Sequence, residues 1–210
     1  MTLTPDDLAC LYVPTPADPD WIDRVEDFGG TVLREDGRGG GWALTSADRI
    51  GRGSNVVAAA NLPVTDLRDL AVRSDVPGLW FEAVDEERML ALADLENEVT
   101  LLVPGRAFAS GWRAGATGTI APEFLVAPEA FASWCARFED DLGGALDAER
   151  RMQHALESKF EPLARRADWT GIERVHACAV AGGWDGSTLH PDLCDELLAF
   201  GEAFAEALGS

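Results

Sequence analysis

Apolar runs of four or five residues recur over the first 120 positions, and between them lie longer stretches with apolar residues at three- and four-residue spacing. Buried strands of a parallel sheet read as continuous apolar runs, whereas the helices that cover them show the 3.6-residue period. The alternation therefore predicts an α/β fold with a parallel sheet. Strands are expected at 10–13, 31–35, 55–59, 79–83, 99–103 and 117–120, six in all, with helices at 19–28, 65–73, 86–95 and 105–112. From Pro128 the pattern is helical to the end, apart from a turn around 182–191. Phe131, Trp134, Phe138 and Leu142 mark the apolar face of one expected helix. Met152, Leu156, Phe160 and Leu163 mark the next, and Leu193, Leu197, Phe200, Phe204 and Leu208 the last.

Composition narrows the setting. A chain of 210 residues with 47% hydrophobic content supports one sizeable core rather than two independent ones. Its 17 basic and 37 acidic residues give a net charge of -20, which repels phosphate backbones and anionic lipid surfaces, so neither nucleic acid nor membrane is expected as a partner. No apolar run approaches the roughly 18 residues of a membrane span, and the opening MTLTPDDLAC lacks the basic and apolar regions of a signal peptide. A cytoplasmic location is expected.

Cys10, Cys135, Cys178 and Cys194 are scattered without C-x-x-C spacing and read as reduced thiols. His154, His176 and His190 show no ligand spacing, so no metal and no cofactor are expected. Lys159 is the only lysine among the 17 basic residues, a bias typical of GC-rich bacterial genomes. A mechanism that needs a deprotonatable amine thus has one side chain to draw on. With Glu157 and Glu161 beside it, Lys159 is expected in a surface ion pair.

The stretch GATGTIAPEFLVAP, from Gly115 to Pro128, resembles the eighth strand and following turn of the dihydrodipicolinate synthase and N-acetylneuraminate lyase family, class I aldolases on a (β/α)8 barrel. FEPL and GGWDGSTLHPDL resemble that family's C-terminal helical layout. VPGLWFEAVDEERMLAL resembles the sixth strand and helix, and matching Gly78 to the family's glycine puts Trp80 where the Schiff-base lysine belongs. AAANLPVTDLRDLA resembles the fifth-strand motif, with Ala60 in place of its tyrosine and Asn61 and Pro63 retained; the following glycine-arginine, which grips a substrate carboxylate, is deleted. LYVPTP resembles the first strand, and TVLREDGRGGGWALTSADRI the second strand and its threonine-threonine-glycine-glutamate loop. Gly37 and Arg38 occupy the two threonine positions, Gly39 survives and Gly40 replaces the glutamate.

Only a short interval separates Leu44 from Asn61, so the third and fourth βα units are missing, with 46–54 as the junction. The resemblance implies a reduced TIM-like barrel of about six parallel strands over 1–127. A C-terminal helical extension over 128–210 is packed on it as one structural unit.

A Schiff-base aldolase needs an amine nucleophile, a proton relay and a carboxylate anchor, and the resemblance implies the loss of all three. Barrels bind ligands at the C-terminal ends of their strands, so Arg38, Asn61, Trp80 and Arg106 are the candidate ligand-binding residues, for a small carboxylate. Glu82 and Glu123 are candidate acid and base, or else solvated loop acids. Trp80 either fills the vacated active-site volume or floors a ligand pocket. The loop DGRGGGW over 36–42 lacks the lysine-serine/threonine ending of a phosphate-binding loop. His190 and Cys194, one helical turn apart, have no third partner in view.

Two functions follow. One is a catalytically degenerate aldolase homologue acting as a partner, regulatory or ligand-binding subunit. The other is a lyase, isomerase or cyclase of specialised metabolism that uses the strand-end carboxylates. Removing two βα units leaves either a smaller closure or exposed sheet edges, so a homo-oligomer, or a complex with a full-length aldolase paralogue, is expected through the C-terminal helices.

Overall fold

The computed structural model describes residues 10–12, 31–33, 43–50, 55–95, 98–169, 171–184 and 189–209. The expected helix at 19–28, the loop at 36–42 and Arg38 lie outside them.

The chain forms two compact units, the first ending at Ala121 and the second beginning at Pro122. Among the described residues the first unit is built on seven parallel strands: β1 (Cys10–Tyr12), β2 (Thr31–Leu33), β3 (Ala43–Thr45), β4 (Asn55–Ala58), β5 (Gly78–Trp80), β6 (Thr100–Pro104) and β7 (Gly118–Ile120). Their order, β2-β1-β7-β6-β5-β4-β3, returns the last strand to the side of the first, as a barrel does. Six are the strands expected from the sequence. The additional one, β3, pairs with β4 from Ala43↔Asn55 to Thr45↔Val57. Three residues are too short to display alternation, which is why Ala43–Thr45 reads in the sequence as part of a loop.

The two faces of this sheet differ in burial. Val57, Leu79, Leu101, Val103 and Thr119 share one face through the strand registers and are at most 1% exposed. Helices cover them: α1 (Val64–Ala71) packs on β5 and α3 (Phe108–Arg113) on β6, with α2 (Glu86–Leu90) between these two in sequence. The α3–β6 approach is so close that a Cβ on Gly111 would meet Val103 at 2.6 Å. Thr119, a fully buried hydroxyl on this face, donates to the Val103 carbonyl at 2.7 Å, which satisfies it in the apolar setting. On the opposite face Val56, Leu102 and Ile120 are buried, and half-buried Leu44 and Trp80 pack against them.

The second unit is helical: α4 (Pro128–Cys135), α5 (Leu142–Ala155), a π-helical turn (Leu156–Phe160), α6 (Glu161–Arg166), α7 (Gly171–Ala181) and α8 (Pro191–Gly209). Phe131, Trp134 and Phe138 are buried as expected and continue an edge-to-face series from Phe124, with centroids 5.9, 5.1 and 4.9 Å apart. Leu142 does not belong to the same helix. α4 ends at Cys135, and α5 starts afresh where the Asp141 carboxylate accepts from the Gly144 amide at 2.9 Å.

The stripe Met152, Leu156, Phe160 and Leu163 is buried, as are Leu197, Phe200, Phe204 and Leu208. These helices satisfy their apolar faces within their own unit, since α8 packs on α5 and α7. On α8 the exposed large apolar residue is Leu198, at 44%. Among the described residues no helix is long and apolar enough to cross a membrane.

Candidate functional site

The C-terminal ends of β4 and β5 are held level by their ladder. Ala58 is in register with Trp80 and Trp80 with Leu102, the Ala59 amide donates to the Trp80 carbonyl at 2.7 Å, and the Phe81 amide donates to the Leu102 carbonyl at 2.9 Å. Beyond this level the chain turns twice. After β4, Asn61 takes a left-handed conformation with φ of 62°, which asparagine tolerates better than most residues. The Leu62 amide then closes the turn on the Ala59 carbonyl at 3.3 Å, and α1 follows Pro63. After β5, Asp85 caps α2 by accepting from the Arg88 amide at 3.1 Å.

Arg88 fastens the two turns together. Its guanidinium donates to the carbonyl of Ala59, to the carbonyl of Leu62 at 2.9 Å and to the Asp85 carboxylate at 3.3 Å, and it lies 5.5 Å over the Phe81 ring. Between the turns is an open depression of about 520 Å³ lined by Ala60, Asn61, Phe81, Glu82, Asp85 and Arg88, among others. Asn61 and Glu82 are thus brought together, at the strand ends where a barrel presents its ligands.

The other sequence candidates lie elsewhere. Trp80 packs against the cluster of Val56, Leu102 and Ile120 on the other face of the sheet, and does not line the depression. Arg106 is exposed on the tight turn Gly105–Ala107 that follows β6. Glu123 belongs to the second unit, in the turn Pro122–Val126, where its charge bears on Cys178 of α7. Burial, with that charge adding to it, holds the Cys178 thiol well above its ordinary range. Burial alone does the same for Cys135, so both thiols stay protonated and unreactive.

Arg88 was not singled out in the sequence. Its only signal was the Asp85–Arg88 spacing at a helix start; the carbonyls it holds lie 26 and 29 residues earlier. The depression carries Glu82, Asp85 and Glu86 against a guanidinium already engaged with two carbonyls and a carboxylate. A small carboxylate would meet repulsion here, whereas a neutral or cationic ligand would not.

No protein-family model matches the chain, and no curated protein does. Solved structures do. A dihydrodipicolinate synthase family protein from Coccidioides immitis matches with a TM-score of 0.58 at 13% identity, over 95% of this chain and 73% of that one. Dihydrodipicolinate synthase from Thermotoga maritima matches with 0.52 at 16%, over 89% and 70%. A monomeric dihydrodipicolinate synthase variant matches with 0.51 at 15%, over 93% and 73%. The chain therefore has, in shortened form, the α/β-barrel fold of the dihydrodipicolinate synthase structures.

Proposed function

We propose that the protein is a catalytically degenerate member of the aldolase fold, without Schiff-base chemistry, that serves as a ligand-binding or regulatory subunit. The observation that carries this reading is at position 80. By the sequence resemblance Trp80 stands where the Schiff-base lysine would be, and its side chain packs against the cluster of Val56, Leu102 and Ile120. The only lysine, Lys159, is exposed in the helical unit.

The test is borohydride reduction in the presence of pyruvate, followed by intact-mass measurement. No covalent adduct is expected; a pyruvate adduct at Lys159 would overturn the proposal.

Assembly is part of the same reading. Among the described residues β2 and β3 each pair on one side only, and the sheet face carrying Leu44 and Trp80 is half-buried. Unpaired strand edges beside partly covered apolar surface favour association with a second copy or with a longer relative. Light scattering over a dilution series should report a dimer or larger species. A folded monomer at micromolar concentration would count against this part of the proposal and favour a self-sufficient small barrel.

A further inference from the structure

The helical unit contains a groove of about 650 Å³ between α5 with its π-helical continuation and α8. Alanines at facing positions, Ala155 on one side and Ala203 and Ala207 on the other, leave the depression, and long basic side chains edge it. In a protein of net charge -20, Arg150, Arg151, His154 and the only lysine, Lys159, all line this one groove.

Among the described residues Lys159 makes no ion pair with Glu157 or Glu161, contrary to expectation. Glu161 is taken by Arg174 of α7, while Arg150 is paired with Asp147 inside the groove and Arg151 donates to the Ala207 carbonyl at 3.1 Å. Two carboxylates, Asp147 and Glu206, also line it, so the cations outnumber the acids only locally.

A second observation is the backbone. Pro162 has no amide hydrogen, and its ring crowds the carbonyl four residues earlier, at Ser158. The ladder shifts instead: the Glu161 amide reaches the Leu156 carbonyl, five residues back. Ser158 and Lys159 continue the three- and four-residue spacing of Asp147, Arg150, Arg151, His154 and Ala155, so both open on the same groove. Ser158 donates to the His154 carbonyl at 2.6 Å and is fixed there.

We infer that this groove binds a small multiply charged oxyanion, carboxylate or phosphate, held by Lys159 and Arg150. The inference is independent of the reading of position 80. It also places anion recognition away from the acidic depression at the strand ends.

Isothermal titration of the full chain with citrate, and separately with inorganic pyrophosphate, at one fixed low ionic strength is the test. A saturable site for at least one is expected. Citrate alone assigns carboxylate, pyrophosphate alone assigns phosphate, and both assign oxyanions in general. Lys159→Gln and Arg150→Gln, at exposed side chains, should each weaken binding by about tenfold, the scale of one charged hydrogen bond. Arg68→Gln removes the same charge from a surface pair with Asp94 in the first unit and should leave binding unchanged. No saturable heat with either anion, unchanged binding in Lys159→Gln, or an equal loss in Arg68→Gln would overturn it.

Discussion

Gly201→Ala is expected to destabilise the protein by about 3 kcal/mol, although alanine is the better helix former. Gly201 lies in the middle of α8, where exchange for alanine normally gains about 1 kcal/mol in helix propensity. Here a Cβ would stand 2.0 Å from the Ala181 carbonyl oxygen and 3.0 Å from its carbon, at the end of α7. The obstacle is backbone, so no rotamer change relieves it and the two helices must separate. Overpacking of this kind costs roughly 1–3 kcal/mol or more, which outweighs the propensity gain. The helices that would move apart carry Cys178, Val180, Phe200 and Phe204, all buried. Urea unfolding should show the loss as a lower midpoint. The control is Gly143→Ala, where the nearest atom is Asp141 Oδ1 at 3.8 Å; it should be neutral or stabilising by a few tenths to about 1 kcal/mol. Equal stability of the two variants would mean that α7 and α8 do not meet at Gly201.

How much of this was legible in the sequence depended on the range of the interaction responsible. The strands β4 to β7 were legible because buried parallel strands leave continuous apolar runs such as LLV and VVA, and the helical stretches over 152–163 and 193–208 because their stripes hold a regular spacing. The end of α4 was not. Across 136–141 the chain turns with Arg137 bonded back to Trp134 and Phe138 to Cys135, so the three- and four-residue spacing of aromatic residues continues although the helix has stopped. Asp141, ahead of Leu142 and the pair Gly143 and Gly144, was the only trace of a new start.

At the strand ends, Asn61 and Glu82 could be placed from their position after apolar runs. Arg88 could not, because its partners are backbone carbonyls, which have no side-chain signature. Lys159 was misjudged for a related reason: its neighbours in sequence, Glu157 and Glu161, favoured a surface ion pair, but a packed helix brings Arg174 to the Glu161 carboxylate.

Replacing Arg88 with methionine should cost about 2–3 kcal/mol and loosen the rim of the strand-end depression. Methionine keeps an apolar stem against Phe81 but gives up the hydrogen bonds to the Ala59 and Leu62 carbonyls and to Asp85. A hydrogen bond from a charged donor contributes roughly 1.5–3 kcal/mol, more than a neutral one, and Ala59 is 1% exposed, so water cannot readily replace the lost donor. The Asp85 pair adds little, since its partners are 24% and 37% exposed and the bond is long at 3.3 Å. The larger consequence is local. Asn61, held at φ of 62° between the two carbonyls that Arg88 grips, loses the contact that over-determines its conformation. Amide exchange at Leu62, whose donor closes that turn, should therefore accelerate beyond what the global loss of stability explains. Arg88→Lys should recover only part of both effects, because one ammonium cannot reproduce the planar fork that spans two carbonyls and a carboxylate. Full recovery by lysine, or unchanged exchange at Leu62 in the methionine variant, would show that Arg88 does not organise the depression.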